Sequence, residues 1–164
     1  MEPREFHWPA STIFRLVTAN LNPIYEYIGE KMEIPKHAKS LLEIGGGNGR
    51  EAIALIKLNP QLSKVVTTDI SGAMVDQARE NIKRNNLGRI MRAEINDAHN
   101  LNYDDGSFDA VISFGSLHHF SNPVKVLHEC NRVLKPNGYF GIIDLCNKPS
   151  YREVLKKMKY PIGA

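Results

Sequence analysis

Glycines crowd the stretch Glu43-Ile-Gly-Gly-Gly-Asn-Gly49. Those at 45, 47 and 49 permit backbone angles closed to other residues and let ligand atoms approach the main chain, while a helix starting after them offers unpaired N–H groups. A dinucleotide fingerprint needs a third glycine three places after the second. Here that position is Arg50, so the spacing is G-x-G-x-G. Carboxylates follow. Asp69 ends the run Val65-Val-Thr-Thr-Asp69, and Asp97 stands in Asn96-Asp-Ala98. An aspartate at a strand end either bonds its own backbone in a turn or presents two acceptor oxygens to a ligand, and residue type alone leaves both readings open. Asp97 shares its loop with Asn100, Asn102, Asp104 and Asp105, where solvated polar residues need no function.

His118 and His119 bring imidazoles, which suit proton transfer or metal binding near neutral pH. Adjacent residues do not share a helix face, and neither an H-x-x-x-H spacing nor paired carboxylates stand beside them, so no metal site is expected. Either histidine could take a proton from a substrate; one that merely satisfies backbone groups in its loop is the plainer reading. Cys130 falls on an apolar helix face and reads as core, Cys146 is ambiguous, and neither reads as a nucleophile.

Alternating elements position these residues. Ser40-Leu-Leu-Glu-Ile44 is a short apolar run, and Arg50 to Leu58 carries Ala52, Ile53, Ile56 and Leu58 at helical spacing. Val65 to Thr68 is β-branched throughout; Ser71 then caps a helix bearing Met74, Val75, Ala78 and Ile82, stopped by Asn85, Asn86 and Gly88. Weaker strand character covers about Ile90 to Ile95, and Phe108 to Ser113 reads as a further strand. Asn122 caps the next helix with Pro123 at its first position; Val126, Leu127, Cys130, Val133 and Leu134 form its apolar face, and Pro136-Asn-Gly138 turns the chain into a fifth strand, Tyr139 to Leu145. Apolar strands alternating with helices predict a doubly wound α/β fold, a mostly parallel five-stranded sheet with helices on both faces. Ligands of such folds bind at the carboxyl ends of the strands, where strand order reverses.

Composition sets outer bounds. At 164 residues and 42% hydrophobic, residues 1–164 read as a single domain, which excludes collagen-like, coiled-coil and disordered classes. Residues 39–146 form its core, 1–38 an N-terminal helical lid or packing segment, and 147–164 a basic C-terminal helix. A formal net charge of +3 demands neither nucleic acid nor an anionic membrane as partner. The basic residues Arg152, Lys156, Lys157 and Lys159 read as a solvated face. The opening residues do not resemble a signal peptide, no apolar run approaches the roughly 20 residues of a membrane span, and the two cysteines fit no disulfide or zinc spacing. A cytoplasmic location without membrane contact is expected.

From Leu41 to Leu145 the chain resembles the class I S-adenosylmethionine-dependent methyltransferases, especially their small-molecule group. The resemblance rests on Glu43 with its alternating glycines, Asp69 after the second strand, Asn96-Asp-Ala98 after the third, the segment Leu101 to Ile112 with Leu117-His-His119, and Arg132 to Gly138. It implies that S-adenosyl-L-methionine is the cofactor and S-adenosyl-L-homocysteine the product. By the same resemblance Glu43 orders the loop and helps place the cofactor's amino group, and the backbone of Gly45, Gly46, Gly47 and Gly49 lies against its methionine moiety. Asp69 accepts from the ribose diol, Ile70 packs on the adenine, Met74 contacts the cofactor, and Asp97, beside Ala98, accepts from the adenine amino group. Ser113 joins the same set. On pattern alone Met74 would be core.

Methyl transfer from a sulfonium needs alignment more than catalytic side chains. A base matters only for a protonated acceptor, and His118, His119 and Tyr25 are its candidates. Ser113-Phe-Gly-Ser116 replaces the family's Asn/Asp-Pro-Pro motif of amide and nucleobase amino methylators, and neither a Pro-Cys pair nor a cysteine cluster is present. A small-molecule oxygen, nitrogen or carbon acceptor is therefore expected. The family's last two strands have no counterpart in residues 146–164, which leaves the edge of strand five for the terminal helix or a second copy of the chain to cover, or marks the chain as part of a longer protein. Two other functions compete: an NAD-dependent oxidoreductase, opposed by Arg50 in place of the third glycine, and a non-catalytic module that binds S-adenosylmethionine.

Overall fold

A computed structural model describes Met32 and residues 34–144. Among these, the chain runs β1 (Ser40–Ile44), α1 (Arg50–Leu58), β2 (Lys64–Asp69), α2 (Gly72–Arg84), β3 (Met91–Ile95), β4 (Phe108–Phe114), a 3₁₀ turn (Leu117–His119), α3 (Pro123–Val133) and β5 (Leu134–Ile143). Every pairing is parallel, in the order β3-β2-β1-β4-β5. The sheet grows one way from β1 through β2 to β3 and the other way through β4 to β5, so order reverses between β1 and β4.

Right-handed crossovers then place the helices. Buried Ala52, Leu55 and Ile56 of α1 and Val75, Ala78 and Ile82 of α2 pack with Leu41, Val65, Ala110 and Ile112. On the opposite face Val126, Leu127, Cys130 and Val133 of α3 pack with Leu42, Ile44, Val66 and Val111. Strand neighbours such as Leu41 and Leu42 thus serve different faces, as the alternation of Cβ atoms requires. β1 is buried along its whole length. Burial pushes the Cys130 thiol well above its ordinary range.

Several local signals act as the sequence predicts. The Ser71 side chain accepts from the Met74 N–H, the Asn122 side chain accepts from the Lys125 N–H at 3.1 Å, and Pro123 opens α3. Leu134 belongs to the fifth strand and not to the helix face, because α3 ends at Val133. Leu134 pairs with Phe108 while Tyr139 pairs with Ala110, so residues 135–138 bulge out of the ladder, with Asn137 at φ 62°. The expected Pro136-Asn-Gly138 turn is that bulge. Met32, Ile34 and Ala38 of the N-terminal segment are buried in the core, while residues 1–31 with Tyr25, and Leu145, Cys146 and the expected C-terminal helix, lie outside the described residues. No described helix is long and apolar enough to cross a membrane.

The β3 to β4 connection, residues 96–107, has no helix. Arg132 holds it instead: Nη1 donates to the Tyr103 carbonyl at 2.7 Å and Nη2 to the Leu101 carbonyl at 2.8 Å, while Glu129 Oε2 accepts from the Leu101 N–H at 2.8 Å. A guanidinium fork can restrain a polar loop in this way without a helix's own hydrogen bonds.

Candidate active site

The turn after β1 is built over a buried acid. Glu43 is completely buried, and its Oε2 accepts the Thr67 hydroxyl at 2.5 Å; Oε1 has no partner among the described residues. Burial, reinforced by the nearby Glu51 carboxylate and opposed by the Thr67 hydrogen bond, pushes Glu43 up to about 8. Directly above, a Cβ on Gly46 would collide with Thr67 Oγ1 and the Glu43 carboxyl, so no side chain fits. Gly47 differs: its φ is +52° and a Cβ there would meet nothing within 4 Å, so it opens onto free space. Gly45 and Gly49 also take positive φ values.

Asp69 ties this loop to β2. Its Oδ2 accepts the Gly47 N–H at 3.0 Å and its Oδ1 the Ser71 N–H at 2.8 Å, while Gly46 N–H donates to the Thr68 carbonyl at 2.8 Å. The loop is fixed from the other side by Ser116, whose hydroxyl lies 2.7 Å from the Gly45 carbonyl. Beyond Ser116 the 3₁₀ turn brings the His118 and His119 rings together, tilted at 45° with centroids 3.9 Å apart. Asp144, at the end of β5, receives both the His118 backbone N–H at 3.2 Å and its Nδ1 at 2.8 Å.

A cleft of about 570 Å³ opens at the carboxyl ends of β1, β2, β3 and β4. It gathers Gly45, Gly46, Gly47, Asp69, Ile70, Met74, Asp97, Ala98 and His119 from separate loops and element ends. Met74 is 40% exposed and Ile70 72% exposed, so the helical pattern that would bury Met74 gives way to a place on the cleft wall. Asp97 has one oxygen engaged, Oδ1 accepting the His99 N–H at 2.9 Å, and this hydrogen bond with the His99 side chain holds its carboxyl below the usual range. Glu43 and Gly49 do not line the cleft: Glu43 lies under the loop and Gly49 begins α1. Ser113 is buried within β4, its hydroxyl without a described partner, and His118 stands behind His119. Asn48, Glu51, Asn96, His99, Phe114, Gly115, Ser116, Phe120 and Ser121 complete the lining. These are the residues that motif reading missed, since each is of an ordinary type for its loop, helix or strand and only the fold assembles them.

Residues 42–142 match the family model described as a methyltransferase domain. The chain belongs to this family of S-adenosylmethionine-dependent methyltransferases. It is 34% identical over 110 residues to a 27-O-demethylrifamycin SV methyltransferase of Amycolatopsis mediterranei, covering 67% of this chain and 40% of that one. With a demethylmenaquinone methyltransferase of Lactobacillus johnsonii it shares 38% identity over 104 residues, covering 63% of this chain and 42% of the relative. The chain therefore spans about two fifths of the length of these relatives. Among solved structures, a SAM-dependent methyltransferase of Aquifex aeolicus superposes with a TM-score of 0.76 at 21% identity, covering 96% of this chain and 92% of the other, a likeness of fold.

The cleft suits such a cofactor. Gly47 leaves room above the loop, Asp69 and Asp97 offer acceptors for hydroxyl and amino groups, Ile70 and Met74 offer apolar surface, and Glu51 adds a carboxyl group to the lining.

Proposed function

We propose that this chain binds S-adenosyl-L-methionine in the cleft beside the glycine loop and moves its methyl group to an oxygen, nitrogen or carbon atom of a small molecule. The observation that carries this reading is the convergence of Gly47, Asp69, Met74 and Asp97 on one cleft where strand order reverses. Bound there, the cofactor supplies a methyl already activated on a sulfonium. The chain's own residues do the rest: the glycine loop and Asp69 hold the donor in place, while Phe114, Phe120 and the 3₁₀ turn form the wall against which an acceptor aligns. Family relatives named for a rifamycin and for demethylmenaquinone support a small-molecule acceptor. A cytoplasmic location belongs to the same reading.

For an acceptor that must lose a proton, His119 is the base, because its side chain is on the cleft wall. His118 backs it, the two rings tilted at 45° with centroids 3.9 Å apart, and is itself oriented by Asp144, whose Oδ1 lies 2.8 Å from its Nδ1. The test is release of S-adenosylhomocysteine in the presence of phenolic, amine and activated-carbon acceptors. Turnover on any of them, falling about a hundredfold or more in His119→Asn for a phenolic acceptor, supports the proposal. Binding of the cofactor with no turnover on any acceptor would instead favour a non-catalytic module.

A further inference from the structure

His99 lies in the β3 to β4 loop, on the cleft wall, and touches both sides of the opening. Its Nδ1 lies 2.8 Å from Asp97 Oδ1, and its Nε2 lies 3.3 Å from the backbone N of Asn122, 3.3 Å from the Ser121 hydroxyl. A backbone N–H can only donate, so Nε2 must be the unprotonated acceptor and Nδ1 carries the proton toward Asp97. The ring also stands edge-on to Phe120, centroids 5.8 Å apart. One neutral imidazole thereby joins the loop carrying Asp97 to the segment that starts α3.

We propose that His99 is a positioning residue of the cofactor cleft, which holds the Asp97 carboxylate and the Phe120–Asn122 wall in register only while its imidazole is neutral. The proposal rests on the S-adenosylmethionine reading above. Protonation places a hydrogen on Nε2, facing the Asn122 N–H and removing its acceptor, while the bond to Asp97 survives. The wall before α3 is then released, and affinity for the adenosyl ligand falls. The charged or titratable groups around this ring are Asp97 on its own loop, Lys125 on the first turn of α3, whose charge reaches Asp97, and, across the cleft, Glu51 and His119.

Calorimetric titration of S-adenosylhomocysteine into wild-type protein, His99→Gln and His99→Phe between about pH 7.5 and pH 5.5 tests this. Wild-type binding at pH 7.5 is the check on the cofactor reading itself; its absence contradicts that reading, whatever the variants do. Given binding, loss of one or two hydrogen bonds predicts affinity about threefold to thirtyfold weaker for His99→Phe at pH 7.5, with His99→Gln between it and wild type. The wild type should weaken on acidification by about threefold to tenfold more than either variant. Equal affinity of wild type and His99→Phe at pH 7.5, or parallel pH profiles, overturns the proposal. Nitrogen NMR of the wild-type imidazole keeps the question open to refutation if a variant does not fold: an unprotonated Nε2 at pH 7.5 is expected, and a protonated Nε2 refutes the assignment.

Discussion

The N–H of Gly47 donates to Oδ2 of Asp69 at 3.0 Å, while Oδ1 of the same carboxylate accepts from Ser71 at 2.8 Å. The sequence left two roles open for this aspartate, turn former or ligand acceptor. The turn role is observed in its bonds to Gly47 and Ser71, and the carboxylate also lines the cleft, where the ligand role is proposed. Replacing it with Asn puts an amide where a charged acceptor stood. Asp69→Asn should weaken S-adenosylhomocysteine binding about tenfold to a hundredfold, the range for hydrogen bonds to a charged group, as read by calorimetry.

Neighbouring glycines should fail differently. Gly46→Ala drives a methyl into Thr67 and Glu43, and overpacking of this kind costs about 1–3 kcal/mol of stability. Gly47→Ala meets no atom within 4 Å, so it costs only the left-handed strain of about 1–2 kcal/mol, but its methyl occupies the open space over the loop. Urea denaturation combined with ligand titration separates the two. Gly47→Ala should show the larger loss of affinity relative to its loss of stability.

Glu43 sets a pH dependence of stability. In the folded chain it keeps its proton up to about 8, against an ordinary 4.5. Between these values the folded state binds more protons than the unfolded, so stability is fully present below the ordinary value and is lost as pH rises through about 8. Glu43→Gln removes the ionisation, and its urea midpoint should change less than that of wild type over this interval.

Asp109 acts with the opposite sign. It joins the amino ends of β1 and β4, accepting from the Lys39 and Ser40 N–H groups at 2.9 and 2.8 Å, the Ser40 hydroxyl at 2.8 Å and Lys135 Nζ at 2.7 Å. Burial alone would lift its carboxyl, yet these donors outweigh it and hold Asp109 well below the usual carboxylate range. Its contribution is present at neutral pH and is lost as pH falls below the ordinary carboxylate value. Asp109→Asn should cost about 1–3 kcal/mol at pH 7 and leave ligand affinity unchanged, because the cleft is at the other end of the strands.

The succession of strands and helices, the helix caps and the placement of Asp69 and Asp97 at strand ends were legible because each rests on local chemistry: β-branched runs, Ser71 and Asn122 as caps, glycines in a turn. Resemblance alone places Met74 at the site, because it obeys the helical apolar period and only the mouth of a cleft at that point of α2 exposes it. Other features were not legible. Arg132 restrains a loop through carbonyls of Leu101 and Tyr103, which no side-chain pattern encodes. His99 and Asp144 gain their significance from contacts across 23 and 26 residues of chain, to Asn122 and His118 respectively.

The central claim is the identity of the cofactor, and calorimetric titration of the wild-type protein with S-adenosylmethionine, S-adenosylhomocysteine and NAD tests it most directly. Saturable binding of both adenosyl ligands, with NAD bound far more weakly or not at all, is the predicted result. A preference for NAD, or the absence of binding by all three, would contradict it.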